Sequence, residues 1–174
     1  RVTQLPLPID GATIEIQLTK GYVVIVDAID ADLATFKWSA SGTLPFTYAT
    51  RGIKVKGKSI NFLMHRTILE RILNRKLDDN ELVDHINHNS LDNTRINLRI
   101  ADKRTNSQNG LMHVTNKSGF KGVYKPKDKN LFCATINTNG QNIHIGYYRT
   151  ALEAGCAYNA AAIHYFGEFA SLNN

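Results

Sequence analysis

Residues 81–109 crowd Asp84, His85, Asn97 and Asn106 into a span too short to be a domain. That spacing leaves the backbone few options. Leu82 and Val83 form a short apolar run that ends in Asp84-His85. Residues 87–94 are polar and rich in Asn, which tolerates positive φ and caps its own backbone in turns. Residues 97–100 read as a second strand, antiparallel to the first. Asp102 then fits the N-cap of a short helix running to about Asn109. The order is strand, loop, strand, helix.

This order brings three kinds of group together. Asp84 is a hard oxygen ligand, and Asn106, one turn into the helix, offers an amide oxygen. Two oxygens plus water suit Mg²⁺ or a similar hard cation, which keeps several waters and completes its shell with phosphate. Neighbours on a strand face opposite ways, so His85 is directed away from the cation and toward a water on another side. Asn97 is placed to tie the loop to the strand and to orient the imidazole through a backbone or Nδ1 contact. Together they are the equipment for metal-assisted phosphodiester hydrolysis, a base for water and a Lewis acid for the leaving oxygen.

The blocks Met64-His65-Arg66, residues 83–87, Leu91-Asp92-Asn93, Asn97-Leu98-Arg99 and residues 105–109 stand in fixed order. In this the sequence resembles the HNH (ββα-metal) endonucleases, in particular the phage and homing branch. The resemblance implies that Asp84 and Asn106 hold one divalent metal per active site. It implies that His85 is the general base and that Asn97 is the structural asparagine of the catalytic set. Thr94 departs from the pattern, where an Arg is common. His65 closes an apolar run (Ile60, Phe62, Met64) and reads as a packed histidine behind the site rather than a catalytic one. His88 in the loop either touches DNA or touches nothing.

Composition agrees. The chain has 174 residues, enough for one large domain or two small ones. Its net charge of +6 and pI of about 9.4 fit a polyanionic partner. No apolar run approaches the ~20 residues needed to span a bilayer, and no signal-peptide pattern opens the chain. Two cysteines, Cys133 and Cys156, point to a reducing compartment with free thiols. They are too few for the four-cysteine zinc site of some HNH relatives. The expected location is intracellular, in the cytoplasm of a bacterial host or a phage-infected cell.

Residues 1–64 read as a β-rich scaffold. Residues 14–18 alternate, residues 22–26 are a buried-strand run, and residues 30–35 make a helical turn before Trp38. Residues 47–50 and 53–55 are expected to pair across turns. Lys56-Gly57-Lys58 closes a hairpin into residues 60–64. Arg51, Lys54, Lys56 and Lys58 either follow phosphate or form a solvated face. Residues 65–74 fit a helix with Ile68, Leu69 and Ile72 on one side. Arg66, beside the active-site module, is the phosphate candidate of this helix. The module is expected over residues 65–110 and a linker over 111–117.

Residues 118–174 form another unit. Three short strands (122–124, 131–136, 142–145) precede a helix opened by the capping box Thr150/Glu153 and stopped by Gly167. The helix presents Ala154, Ala157, Tyr158, Ala161, Ala162 and Tyr165 on one face. Period two points Phe132, Ala134, Ile136, Ile143 and Ile145 at that helix. Cys133, Thr135, Asn137, Asn142 and His144 point away and, with Tyr124, make an open polar face beside Lys117, Lys121, Lys125, Lys127 and Lys129. Such a face suits a major groove, with amide, hydroxyl and imidazole groups for base edges and lysines for phosphate. Residues 119–123, Ala134, Ile136, residues 145–148, Glu153-Ala154, Ala157-Tyr158, Ala161-Ala162 and residues 167–173 carry a resemblance to the APETALA/ethylene-response-factor DNA-binding domain. The arginines and tryptophans of that family's DNA face are mostly absent.

The expected fold class is therefore α+β: a β-rich region leading into a ββα-metal module, then a three-stranded antiparallel sheet packed on one helix. The expected function is a Mg²⁺-dependent DNA endonuclease acting on double-stranded DNA as a monomer or homodimer. A single centre nicks, and a double-strand break needs two. The competing class is a DNA-binding regulator that keeps an inactive nuclease module.

Overall fold

In the computed structural model, which describes residues 11–44, 46–102, 110, 112 and 115–174, the fold is α+β. Four small antiparallel sheets and two helices occur among the described residues. The chain divides into two units, Arg1–Asp102 and Lys103–Asn174.

In the first unit, β1 (Thr13–Gln17) pairs with β2 (Val23–Asp27). The alternation of residues 14–18 buries Ile16 and Leu18 against Val24 and Val26. A 3-10 segment, Ala28–Thr35, leads to Trp38, whose indole Nε1 donates to the Leu33 carbonyl at 2.9 Å. Strands β3 (Ser39–Thr43), β4 (Phe46–Val55) and β5 (Lys58–Leu63) form the second sheet. Residues 47–50 and 53–55, expected as separate strands, are one continuous strand. Arg51 and Gly52 stay in the ladder because they pair with Phe62 and Asn61.

Met64 does not extend β5. It opens helix α1 (Met64–Leu73), which buries Met64, His65, Ile68 and Leu69 and ends at Asn74 with φ 52°. One hydrophobic core takes in Ile16, Val24, Trp38, Ala49, Ile68 and Leu98, so elements on both sides of position 64 share it. Strands β6 (Leu82–His85) and β7 (Leu98–Ala101) form the third sheet, with Asp84 opposite Arg99 and His85 opposite Leu98. The helix expected from Asp102 to Asn109 lies outside the described residues, apart from Asp102 itself.

In the second unit, β8 (Val123–Tyr124), β9 (Phe132–Thr138) and β10 (Gln141–Tyr148) form an antiparallel sheet in sequence order. Asn139 and Gly140, both at positive φ, make the tight turn. Helix α2 (Ala151–Phe166) begins at a complete capping box, with Thr150 and Glu153 satisfying each other's backbone N–H. It packs on Val123, Ala134, Ile136, Ile143 and Ile145 through Ala154, Tyr158 and Ala162. Tyr165, expected on this face, is exposed, and Phe166 is buried there instead. Gly122, at φ +72°, lies so close to the Tyr158 ring that a Cβ would overlap it.

Candidate active site

The site is built on the Asn-rich loop between β6 and β7. Its carboxamides fold it locally, as short polar side chains do when they compete for nearby backbone donors. Asn87 Oδ1 accepts from Asn89 N at 2.9 Å, and Asn89 Oδ1 accepts from Leu91 N at 3.1 Å. Asp92 Oδ1 accepts from Thr94 N and Thr94 Oγ1. Asn87 Nδ2 donates to Asp92 Oδ2 at 2.7 Å. Thr94, where an Arg is common, thus closes a turn.

Asn97 holds this loop to the strand, as its position suggests. Its Oδ1 accepts from Asn87 N at 2.9 Å and its Nδ2 donates to the Asp92 carbonyl at 2.7 Å. The loop is also fastened to β2, where Ile25 N donates to the Leu91 carbonyl and Asn93 N donates to the Ile25 carbonyl. Arg95 adds a charged tie. Its Nε reaches Asp30 Oδ2 at 2.8 Å and its N–H reaches Asp27 Oδ2 at 2.6 Å. Arg71 from α1 meets Asp30 at 3.0 Å.

The imidazole of His85, 7% exposed, ends β6 inside this frame. Its Nε2 is 2.9 Å from Asn93 Oδ1. Donor and acceptor roles in this contact follow the imidazole tautomer; where Asn93 Oδ1 accepts, Nε2 is the protonated nitrogen. Asn93, fully buried, is the carboxamide that meets the ring, and no sequence signal separates it from its neighbouring asparagines. Burial lowers the His85 pKa, against the raising effects of the Asn93 bond and the Asp84 and Asp92 charges. The imidazole is thus kept neutral.

Two further rings meet His85. His65 lies with its centroid 5.3 Å away at 81°, and Tyr48 at 6.2 Å; His65 and Tyr48 are 5.2 Å apart. Burial, then the charges of His85 and Arg66, lowers the His65 pKa to about 3. The Tyr48 hydroxyl is raised by burial and then by the Asp84 charge, so it stays protonated.

Asp84, 5% exposed, lies opposite Arg99, whose Nε and Nη2 both bond Oδ2, at 2.8 and 2.7 Å. Among the described residues no three His, Cys, Asp or Glu side chains gather to hold a metal. One carboxylate with water suits a cation that keeps most of its own shell. Asn106, the other expected ligand, lies outside the described residues.

The remaining expected DNA contacts fall in two groups. Arg66 is taken up by its own unit, donating to the Glu81, Leu77 and Asp78 carbonyls and pairing with Glu70 at 3.3 Å. Lys121 is half-buried, its Nζ on the Gly110 carbonyl, and burial lowers it to about 8. Lys117, Lys125, Lys127, Asn137, Asn142, His144 and Tyr124 are exposed, and Thr135 is half-exposed. Cys133 is on the same sheet face yet buried, its Sγ 3.3 Å from His144 Nδ1. A β-bulge between His144 and Gly146 brings Tyr147 opposite Cys133. Tyr147 is therefore on the open face, with Lys129 Nζ 3.8 Å over its ring. Simple alternation from His144 hides this residue.

The site thus joins a strand-end imidazole, held by a buried carboxamide, to a buried carboxylate next to it in sequence. An uncharacterised HNH endonuclease of Acanthamoeba polyphaga mimivirus is 34% identical over 137 residues, covering 79% of this chain and 71% of that protein. No family model matches the chain. The chain belongs to the HNH endonuclease family.

Proposed function

We propose that the protein is a DNA endonuclease in which His85 Nδ1 is the general base and Asp84, with Asn106, holds one divalent cation, Mg²⁺ by donor chemistry. The observation that carries this is the buried 2.9 Å contact between His85 Nε2 and Asn93 Oδ1; in this reading the carboxamide oxygen accepts, which puts the proton on Nε2 and makes Nδ1 the base. The cation, when bound, supplies positive charge to the phosphate and the leaving oxygen. His85 takes a proton from water, which attacks phosphorus in line. Asn93 and Asn97 keep the imidazole and its loop in place. Arg99 orients the Asp84 carboxylate. Resemblance to the family implies 5′-phosphate and 3′-hydroxyl ends.

The second unit is read as an APETALA/ethylene-response-factor-like module that lays β8–β10 into the major groove of double-stranded DNA. Lys117, Lys125 and Lys127 meet phosphate, and Tyr124, Thr135, Asn137, Asn142 and His144 meet base edges. The domain reading is a β-rich scaffold at 1–64, the nuclease module at 65–110, a linker at 111–117 and this DNA-binding unit at 118–174.

The test is cleavage of supercoiled plasmid with Mg²⁺ by the wild type and His85→Ala, with DNA affinity measured in parallel. Loss of a general base lowers the rate by roughly 10²–10⁴-fold, and affinity should hold. Cleavage undiminished in His85→Ala removes the proposed base. DNA binding without cleavage in the wild type favours the regulator.

A further inference from the structure

We propose that the row Tyr124–Cys133–Tyr147 of the second unit is a specificity element that reads the 5-methyl group of thymine in the major groove. The inference rests on the reading of this sheet as the DNA-binding face. Cys133 of β9 pairs with Tyr124 of β8 on one side and with Tyr147 of β10 on the other. Partners in register project from the same face, so the three side chains cross the sheet in one line. The two rings are open, Tyr124 at 50% and Tyr147 at 43% exposed, while Cys133 is 1% exposed. The β-bulge after His144 puts both His144 and Tyr147 on this face, with ring centroids 4.7 Å apart. His144 Nδ1 lies 3.3 Å from Cys133 Sγ. The same thiol hydrogen-bonds the Tyr124 hydroxyl and raises its pKa. A small side chain at 133 thus lets three rings converge over it as an aromatic plate.

The rest of the face is graded. Two residues along β9, Thr135 pairs with His144; two further, Asn137 pairs with Asn142, and Asn137 Nδ2 donates to Asn142 Oδ1 at 3.3 Å. Hydroxyl, imidazole and carboxamide groups suit the donors and acceptors of base edges. The tyrosine row offers mainly ring carbon, and the thymine methyl is the apolar group that base pairs show in the major groove. Charge selects DNA as the occupant of this plate. Residues 103–174 carry eight Lys and Arg against three Asp and Glu, and Lys129 Nζ stands 3.8 Å over the Tyr147 ring. Rows on one face are about 7 Å apart, about two base-pair steps. The methyl contact therefore falls at one end of the contacted sequence and the asparagine contacts at the other.

The test uses the full chain and the duplexes it enriches from a random library, each synthesised once with thymine and once with uracil, which lacks only the methyl. Affinities of wild type, Tyr124→Ala and Tyr147→Ala are read by fluorescence anisotropy. Burying one methyl group is worth about fourfold in affinity, so wild type should bind the thymine duplex about fourfold or more tighter than the uracil one. Each variant should bring that ratio below about twofold, by weakening the thymine complex. Equal affinity of wild type for both duplexes overturns the proposal. So does a ratio that both variants keep, because the methyl then acts through DNA shape. Should the variants not fold, NMR of the wild-type complex decides: NOEs between a thymine methyl and the Tyr124 or Tyr147 ring protons are expected, and their absence overturns the proposal by itself. Failure of the groove reading looks different. Binding that prefers single strands to the same duplex, or no binding at low salt, removes the sheet from the groove and this proposal with it. Salt-sensitive duplex binding that is blind to the methyl removes this proposal alone.

Discussion

At the scale of single residues, burial sets the protonation of the site. His65 titrates near 3 when folded, against an ordinary value of 6.5. Between those values the unfolded chain binds a proton that the folded chain refuses. Stability is therefore full above pH 6.5 and falls as pH drops toward 3, by about 1.4 kcal/mol per pH unit where the difference is a whole proton. His85, also lowered, acts in the same direction. His65→Phe removes one such proton. Urea unfolding between pH 6 and 4 should show the variant gaining on wild type by about 1.4 kcal/mol per unit of acidification. Parallel curves would mean that residue 65 is not buried neutral. Much of this scale was legible. The placement of Asp84 and His85 at a strand end, and Asn97 as the tie of the loop, follow from spacing. Asn93 was not legible, because in a loop full of asparagines only burial and a 2.9 Å contact distinguish the one that faces the base. Arg99 was hidden similarly, since only the β6–β7 register places it across from Asp84.

At the scale of elements, the Asn-rich loop depends on strands far away in sequence. Asp30 is the junction, with its carboxylate nearly fully buried between Arg95 of the loop and Arg71 of α1. Removing Asp30 leaves the largely buried Arg95 guanidinium without its carboxylate, at a cost of about 3–5 kcal/mol, whereas Arg71 keeps Asp32 at 2.7 Å. Asp30→Ala should destabilise the protein by that order in urea unfolding and should slow cleavage at temperatures where the protein is still folded, since Arg95 no longer holds the loop. A loss below about 1 kcal/mol would place the strap elsewhere. Alternation and helical spacing predicted most elements, α1 and the capping box of α2 among them. They failed where pairing overrides pattern. Gly52 looks like a break, yet its partner Asn61 keeps β4 running. Tyr147 looks inward by alternation, yet one bulge turns it outward and Tyr148 inward to pack beside Ala134 and Val123.

At the scale of the molecule, charge is divided unevenly. Residues 103–174 carry eight of the 21 Lys and Arg but three of the 15 Asp and Glu, so five of the six net positive charges belong to the second unit. The first unit, holding His85, is near neutral. Nearly all non-specific attraction to DNA should therefore come from the second unit, with chemistry left to the first. Lys117, Lys125, Lys127 and Lys129 are exposed, and Lys125 and Lys129 lie over the Phe132 and Tyr147 rings of the sheet. Each phosphate neutralised contributes about 0.9 to the slope of log affinity against log salt. A fragment of residues 103–174 should thus bind double-stranded DNA with a slope of about −3 to −4 if these four engage. Asn137→Ala and Asn142→Ala should change which sequences are preferred and leave that slope alone, since carboxamides read bases and carry no charge. Fluorescence anisotropy across a salt series measures both. A folded fragment with a slope near zero would move DNA binding to the first unit, and asparagine variants that shift the slope but not the preference would remove the base-reading role of the sheet.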